Sequence, residues 1–202
     1  MTALKLFTTI MKVTLLPSLF KAVALTALAY GTLALTSISL SSCGGGGSAA
    51  NTPDTAAANV FQGRIYQLTS SPTPSIKLSF GEQPNRNSPV LRGSSTWGNS
   101  TYTTWYTFSE STVTDGHCTT TVRLANMPEQ LHRDSAFVAF MGYAQATSVR
   151  PDELCFKVDV DTNTRTGTFT LQETTATVYH DNDESGEAGV TIAKKDLRAI
   201  QL

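Results

Sequence analysis

Residues 154–160 read LCFKVDV, and this stretch decides the fold class. Its apolar residues occupy positions 154, 156, 158 and 160, whereas Lys157 and Asp159 occupy alternate positions. A period of two residues is typical of a β-strand that has one buried face and one solvated face. The stretch therefore predicts a strand at the surface of a packed core.

The same alternation recurs along the chain, separated by clusters of Gly, Pro, Asn and Asp that are typical of turns. Threonine occurs 24 times after Cys43 and lysine only four times, and β-branched residues favour strands. Strands are predicted at residues 76–80, 101–108, 121–124 and 168–171, and further strands at 60–68, 174–179, 189–193 and 197–202. The apolar parity changes at Glu173-Thr174, which predicts a bulge or a turn.

Residues 136–146, AFVAFMGYAQA, differ because they are apolar on both parities. A central strand covered on both faces fits this pattern, and a buried helix is the alternative. The aromatic residues and Val138 favour the strand. Taken together, the pattern predicts an all-β domain, an antiparallel meander of about eight or nine strands that is curled into a barrel or split into a sandwich.

The amino-terminal segment has a different character. Lys5, Lys12 and Lys21 are the only charged residues before Cys43, and residues 22–40 form an uncharged, largely apolar run. The run ends in Leu40-Ser41-Ser42-Cys43, which four glycines follow. This arrangement resembles the signal peptide and lipobox of bacterial lipoproteins, in which cleavage precedes a cysteine that carries lipid. A transmembrane helix is the alternative, but Thr, Ser and Gly dilute the run and no basic residue follows it closely.

The resemblance implies three segments. Residues 1–42 form a cleaved signal peptide, residues 43–58 a lipidated cysteine and a flexible Gly/Ala-rich tether, and residues 59–202 a single β domain. Cys43 is the lipidation site, and acyl chains on it anchor the protein stably in a membrane. We therefore expect a lipid-anchored protein on the cell membrane or outer membrane that faces the periplasm or the exterior.

The charge after Cys43 is modest and dispersed. Twelve of the fifteen basic residues and all sixteen acidic residues lie in this part, which gives it a formal charge of −4. Nucleic-acid binding needs a clustered basic surface, so we expect no nucleic-acid partner. The ligand or protein partner is not identified by composition.

Cys118 and Cys155 remain as a pair if Cys43 carries lipid. An even number of cysteines in an oxidising compartment predicts a disulfide between them. The parity argument opposes this pairing, because Cys118 shares its parity with buried Val122 whereas Cys155 shares its parity with solvated Lys157. Two separate thiols are the alternative.

Residues 181–187 resemble the start of an EF-hand calcium loop, in which carboxylates at alternate positions converge on a cation. The candidate ligands are Asp181, Asp183, Ser185 and Glu187. Ile192 stands where that family places a bidentate glutamate, and an acidic turn between strands is the alternative. We expect no cofactor, with calcium at this loop as the one exception.

Trp97, Tyr102 and Trp105 form the aromatic cluster that best suits ligand binding. Exposed aromatic rings stack on the apolar faces of sugars, and Trp105 has the parity opposite to Tyr102. Packing inside the domain is the alternative for all three side chains.

No motif of a hydrolase or a metalloenzyme is present, so we expect no catalytic activity. Carboxylates such as Glu110, Glu129 and Asp134 could pair in a glycosidase, but linear sequence does not give their separation. The predicted function is that of a cell-envelope lipoprotein with a non-catalytic, ligand-binding β domain, with glycan as the suggested ligand. A structural or assembly role in the envelope is the alternative, followed by a hydrolase.

The lipoprotein interpretation predicts that Cys43→Ala abolishes membrane attachment, because all of the acyl anchor is joined to this residue. Membrane fractionation and the mass of the purified protein measure the effect. Recovery of the wild-type protein in the detergent-free soluble fraction, with Cys43 unmodified, would contradict the interpretation.

Overall fold

The computed structural model describes residues 52–69, 75–181 and 185–202. This part contains eleven strands and three short helices. In chain order they are α1 (Pro53–Phe61), β1 (Ile65–Thr69), β2 (Ile76–Phe80), β3 (Val90–Trp97), β4 (Ser100–Thr114), β5 (His117–Ala125), α2 (Glu129–His132), α3 (Ser135–Met141), β6 (Ser148–Pro151), β7 (Leu154–Asp161), β8 (Thr166–Leu171), β9 (Thr174–Tyr179), β10 (Glu187–Ile192) and β11 (Lys195–Gln201). None of the three helices is long and apolar enough to cross a membrane.

Eight of the strands form a closed barrel in the order β1-β11-β8-β7-β5-β4-β3-β2. Every neighbouring pair in the barrel is antiparallel, and β2 to β5 follow one another as a meander. The all-β prediction is confirmed, and of its two forms the barrel is the one present. Closure pairs both edges of each barrel strand, so the barrel has no free edge.

The barrel interior is filled by aromatic side chains around Phe61, the last residue of α1. The Phe61 ring lies 5.5 Å from Tyr66, 5.0 Å from Phe80, 5.3 Å from Phe108 and 6.4 Å from Phe169, measured between ring centroids. All five side chains are almost completely buried. The lumen is therefore a packed core at this end.

The tether prediction was too long at its carboxyl end. Residues 53–58 belong to α1, and Ala57 and Ala58 are fully buried. Pro53 stands at the first helical position and the Thr52 side chain accepts a hydrogen bond from the Thr55 N–H (3.3 Å), so the helix has a normal start. Alanine has the highest helix propensity and is small enough to pack closely, which explains why this Ala-rich segment is ordered.

The strand predicted over residues 136–146 is wrong, because this segment contains helix α3. The Asp134 side chain accepts hydrogen bonds from the N–H groups of Ala136 and Phe137, and Gly142 ends the helix in the left-handed conformation (φ 97°). These are ordinary start and stop signals. Rings of α3 then pack on Trp97 at the end of β3, away from Phe61: Phe137 at 4.9 Å and Phe140 at 5.2 Å.

A second, three-stranded sheet has the order β10-β9-β6. The chain leaves the barrel after Leu171 and enters β9 at Thr174, which confirms the irregularity predicted at Glu173-Thr174. A β-bulge interrupts the pairing of β10 with β9 next to Gly189, whose φ is 73°. Because β9 follows β8 after two residues, the second sheet begins beside the outer wall of the barrel.

The disulfide predicted between Cys118 and Cys155 is wrong. Cys118 is a free thiol that is fully buried inside the barrel, where it pairs in register with Val160. Cys155 pairs with Arg123 and has the outward parity of its strand, together with Lys157. The two sulfur atoms therefore lie on opposite faces of the sheet, as the parity argument requires.

Burial raises the pKa of the Cys118 thiol to about 11, so the thiol is protonated at neutral pH. We expect N-ethylmaleimide to modify Cys118 slowly in the native protein and rapidly in denaturant. Mass spectrometry of the peptide that contains Cys118 measures the difference. Rapid modification of the native protein, or a peptide in which Cys118 is joined to Cys155, would contradict this result.

Candidate functional site

A cleft on the outside of the barrel is a candidate site, with a volume of about 610 Å³. We call it the outer cleft. It lies between the outer wall of β4, β5 and β7 and the strands β9 and β10 of the second sheet. Its lining consists of Ser109, Glu110, Thr121, Asp152, Glu153, Cys155, Lys157, Gln172, Glu173, Thr174, Thr175, Thr191 and Lys194.

Nearly all of the residues that line the cleft have polar side chains. It contains four carboxylates and two ammonium groups, together with hydroxyl groups and one amide, and no aromatic side chain. The cause is the strand pattern: apolar side chains point into the barrel, so the alternate positions present Thr, Ser and charged side chains outward. The cleft therefore offers many hydrogen-bonding groups, beside the apolar parts of the same side chains.

Glu110 enters the cleft from a bulge in β4. The pairing of β4 with β5 shifts between Ser109 and Thr112, and Glu110 has a φ of 54°. This left-handed conformation is rare for residues other than glycine, and such costs are typical of functional sites. The bulge is held by the Asp54 carboxylate of α1, which accepts a hydrogen bond from the Ser111 N–H (3.1 Å).

Three carboxylates of the cleft are held by neighbours. Glu110 accepts a hydrogen bond from the Thr121 hydroxyl (3.2 Å), and Asp152 accepts one from the Thr175 hydroxyl. Glu153 forms an ion pair with Arg123 at 3.6 Å. These contacts tie the connection between β6 and β7 to β5 and β9, and they hold carboxylate oxygens that can accept further hydrogen bonds.

The predicted aromatic cluster does not form one site. Trp97 is 1% exposed and belongs to the core, so its prediction as a ligand-binding residue is wrong. Tyr102 is half-buried, and its hydroxyl donates a hydrogen bond to Asp134 (2.8 Å). Trp105 lies on the outer wall, half-buried, with the Arg92 guanidinium 5.9 Å from its ring centroid.

The carboxylates considered for a glycosidase are also separated by the fold. Glu110 lines the outer cleft, whereas Asp134 caps α3 and Glu129 forms an ion pair with Arg150. Partial burial acts to raise the pKa of Asp134, but hydrogen bonds from Tyr102 and from the start of α3 outweigh it and lower the pKa. Asp134 is therefore a structural carboxylate.

The calcium loop falls partly outside the described residues. Asp183 lies in the segment 182–184, which the structure does not describe, while Asp181, Ser185 and Glu187 lie on either side of it. Among the described residues, no group of three or more His, Cys, Asp or Glu side chains is placed to hold a metal ion. Calcium binding at this loop stays a prediction.

Sequence reasoning missed the outer cleft as a unit. Its residues come from separate segments between Ser109 and Lys194. The local signal in the sequence is a break in the alternation of β4 beside Glu110. Odd-numbered positions of this strand face outward as far as Ser109, but Val113, at a later odd-numbered position, is apolar. No protein family matches the chain, and neither a curated protein nor a solved structure matches it.

Removal of the two tryptophan rings should lower the stability of the domain by very different amounts. Trp97→Ala removes a fully buried ring and should lower the free energy of unfolding by about 3–5 kcal/mol. Trp105→Ala removes a half-buried ring of the outer wall and should cost less than about 1.5 kcal/mol. Urea unfolding followed by circular dichroism measures both; equal losses would contradict the assignment of the two rings.

Proposed function

We propose that this chain is a lipid-anchored protein of a bacterial cell envelope, and that its barrel domain binds a polar ligand of the glycan class in the outer cleft. The anchor is supported by the basic start, the apolar run and the lipobox that ends at Cys43. The ligand-binding role is supported by the cleft, and the proposal is for binding without catalysis.

The observation that carries the proposal is the concentration of hydrogen-bonding groups in one cleft of about 610 Å³. Many eight-stranded barrels hold a ligand in the lumen, but here aromatic rings fill the interior around Phe61. The outer cleft is a concave surface on the outside of the barrel, and it is large enough for a small oligosaccharide. Its hydroxyl, amide and carboxylate groups match the hydroxyl groups of a sugar.

Trp105 extends this surface. It lies on the same outward face of β4 as Ser109, four residues and about 13 Å away along the strand. Thr107 lies between them and pairs with Arg123, which contacts the cleft residue Glu153. An extended ligand seated in the cleft would reach the Trp105 ring and stack on it.

The charges of the cleft favour one kind of glycan. Glu110, Asp152, Glu153 and Glu173 outnumber Lys157 and Lys194. Like charges repel at close range, so we expect neutral or amino sugars to bind better than acidic sugars.

The test is a titration of the mature protein with neutral, amino-sugar and acidic oligosaccharides, followed by calorimetry and by tryptophan fluorescence. We expect Lys157→Ala and Thr121→Val to weaken binding of the preferred oligosaccharide by about tenfold, since each removes a polar group from the cleft. Thr119→Val is the matched control, because Thr119 has the same outward parity of β5 but does not line the cleft.

Absence of binding to every oligosaccharide in the panel would contradict the glycan proposal. Binding that is equally weakened by Thr119→Val and Thr121→Val would contradict the location. Binding that Trp105→Ala leaves unchanged would confine the ligand to the cleft and remove the extended site.

A further inference from the structure

Three exposed apolar side chains lie side by side on the outer wall of the barrel. Of the four most exposed large apolar residues in the described ranges, Ile65, Ile200 and Leu202 share this wall, with exposed fractions of 39%, 54% and 61%. Gln67 pairs with Ile200, and the Leu202 N–H donates to the Ile65 carbonyl (2.9 Å), so the three positions are contiguous. Single exposed apolar residues are ordinary, whereas a contiguous group marks an interaction surface.

Two cations border this group. Lys77 pairs in register with Gln67, and Arg198 precedes Ile200 by two residues on the same outward face of β11. The next outward residue of β11 is Asp196, whose carboxylate accepts a hydrogen bond from Thr170 (2.7 Å). We call the surface formed by Ile65, Lys77, Arg198, Ile200 and Leu202 the basic apolar wall. It lies on strands that do not line the carboxylate-rich outer cleft.

We propose that the basic apolar wall rests on an anionic lipid bilayer. This inference rests on the proposed lipid anchor at Cys43. Nine Cα-to-Cα steps lead from Cys43 to Thr52, so covalent geometry allows at most about 32 Å between them. Helix α1 spans about 14 Å, and the chain from Phe61 to Ile65 adds at most about 14 Å. Ile65 is therefore within reach of the bilayer that holds the acyl chains.

The size and chemistry of the wall favour a bilayer over a protein partner. A stable protein interface buries about 800 Å² on each partner, more than five side chains provide. A bilayer needs less, because the anchor already holds the domain nearby and makes docking an intramolecular step. Isoleucine and leucine side chains enter the boundary between headgroups and acyl chains, while lysine and arginine pair with anionic headgroups.

The test uses the mature, acylated chain in vesicles of phosphatidylcholine alone and in vesicles that also contain phosphatidylglycerol. An amine-reactive acetylating reagent modifies exposed lysines, and peptide mass spectrometry compares Lys77 with Lys157. Both lysines are exposed, but Lys157 lies in the outer cleft. We expect phosphatidylglycerol to slow the modification of Lys77 by about threefold or more and to leave Lys157 unchanged.

Ile200→Glu and Arg198→Glu should each abolish the protection of Lys77. Val113→Glu is the matched control, because Val113 is the fourth exposed apolar residue (37%) and lies on β4, away from the wall. This control should retain the protection.

The outcomes separate the docking proposal from the anchor. Equal modification of Lys77 and Lys157 in both lipid mixtures, with the protein retained on the vesicles, overturns docking and leaves the anchor intact. Release of the wild-type protein from the vesicles overturns the anchor, and docking with it. Protection of Lys77 in detergent that increases with protein concentration assigns the wall to a second copy of the chain and overturns docking on lipid.

Discussion

Closure of the barrel is the constraint on which the rest of the structure depends. Each of the eight strands is hydrogen-bonded on both sides, so every inward position must fit one enclosed volume and every outward position is left for the surface. The enclosed volume is filled by Phe61 and the rings that it contacts at one end, and by Trp97 with the rings of α3 at the other. Aromatic rings occupy these parts of the interior, and the two surfaces proposed above lie on the outside of the barrel.

The outside is divided by charge. The outer cleft brings together four carboxylates and two lysines where the second sheet meets the barrel. The basic apolar wall carries Lys77 and Arg198 beside its three apolar side chains. If the wall rests on lipid and the cleft binds glycan, the two proposed surfaces do not compete, because no residue belongs to both.

The sequence predicts the strands better than it predicts the helices or the site. Alternation of the kind seen at residues 154–160 places β7 correctly, because a strand at a barrel wall has one dry face and one wet face. The same reasoning fails for α3, where close packing on Trp97 buries residues on several sides and hides the helical period. The prediction for the cysteines was also wrong. A disulfide was expected because an oxidising compartment favours one, although the alternation of the strands already placed Cys118 and Cys155 on opposite faces of the sheet. The cleft could not be predicted, because Glu110 depends on a bulge and its neighbours come from distant segments.

Helix α1 has a mechanical consequence. Any pull on the chain before Thr52 acts first on this helix, whose Asp54 carboxylate holds the β4 bulge and whose Phe61 ring sits among the barrel aromatics. A load from that direction must therefore extract a buried ring instead of peeling a strand from a sheet edge. The load also reaches the backbone that carries Glu110, because the Asp54 carboxylate accepts the hydrogen bond from the Ser111 N–H, so tension at the amino end acts on one wall of the outer cleft.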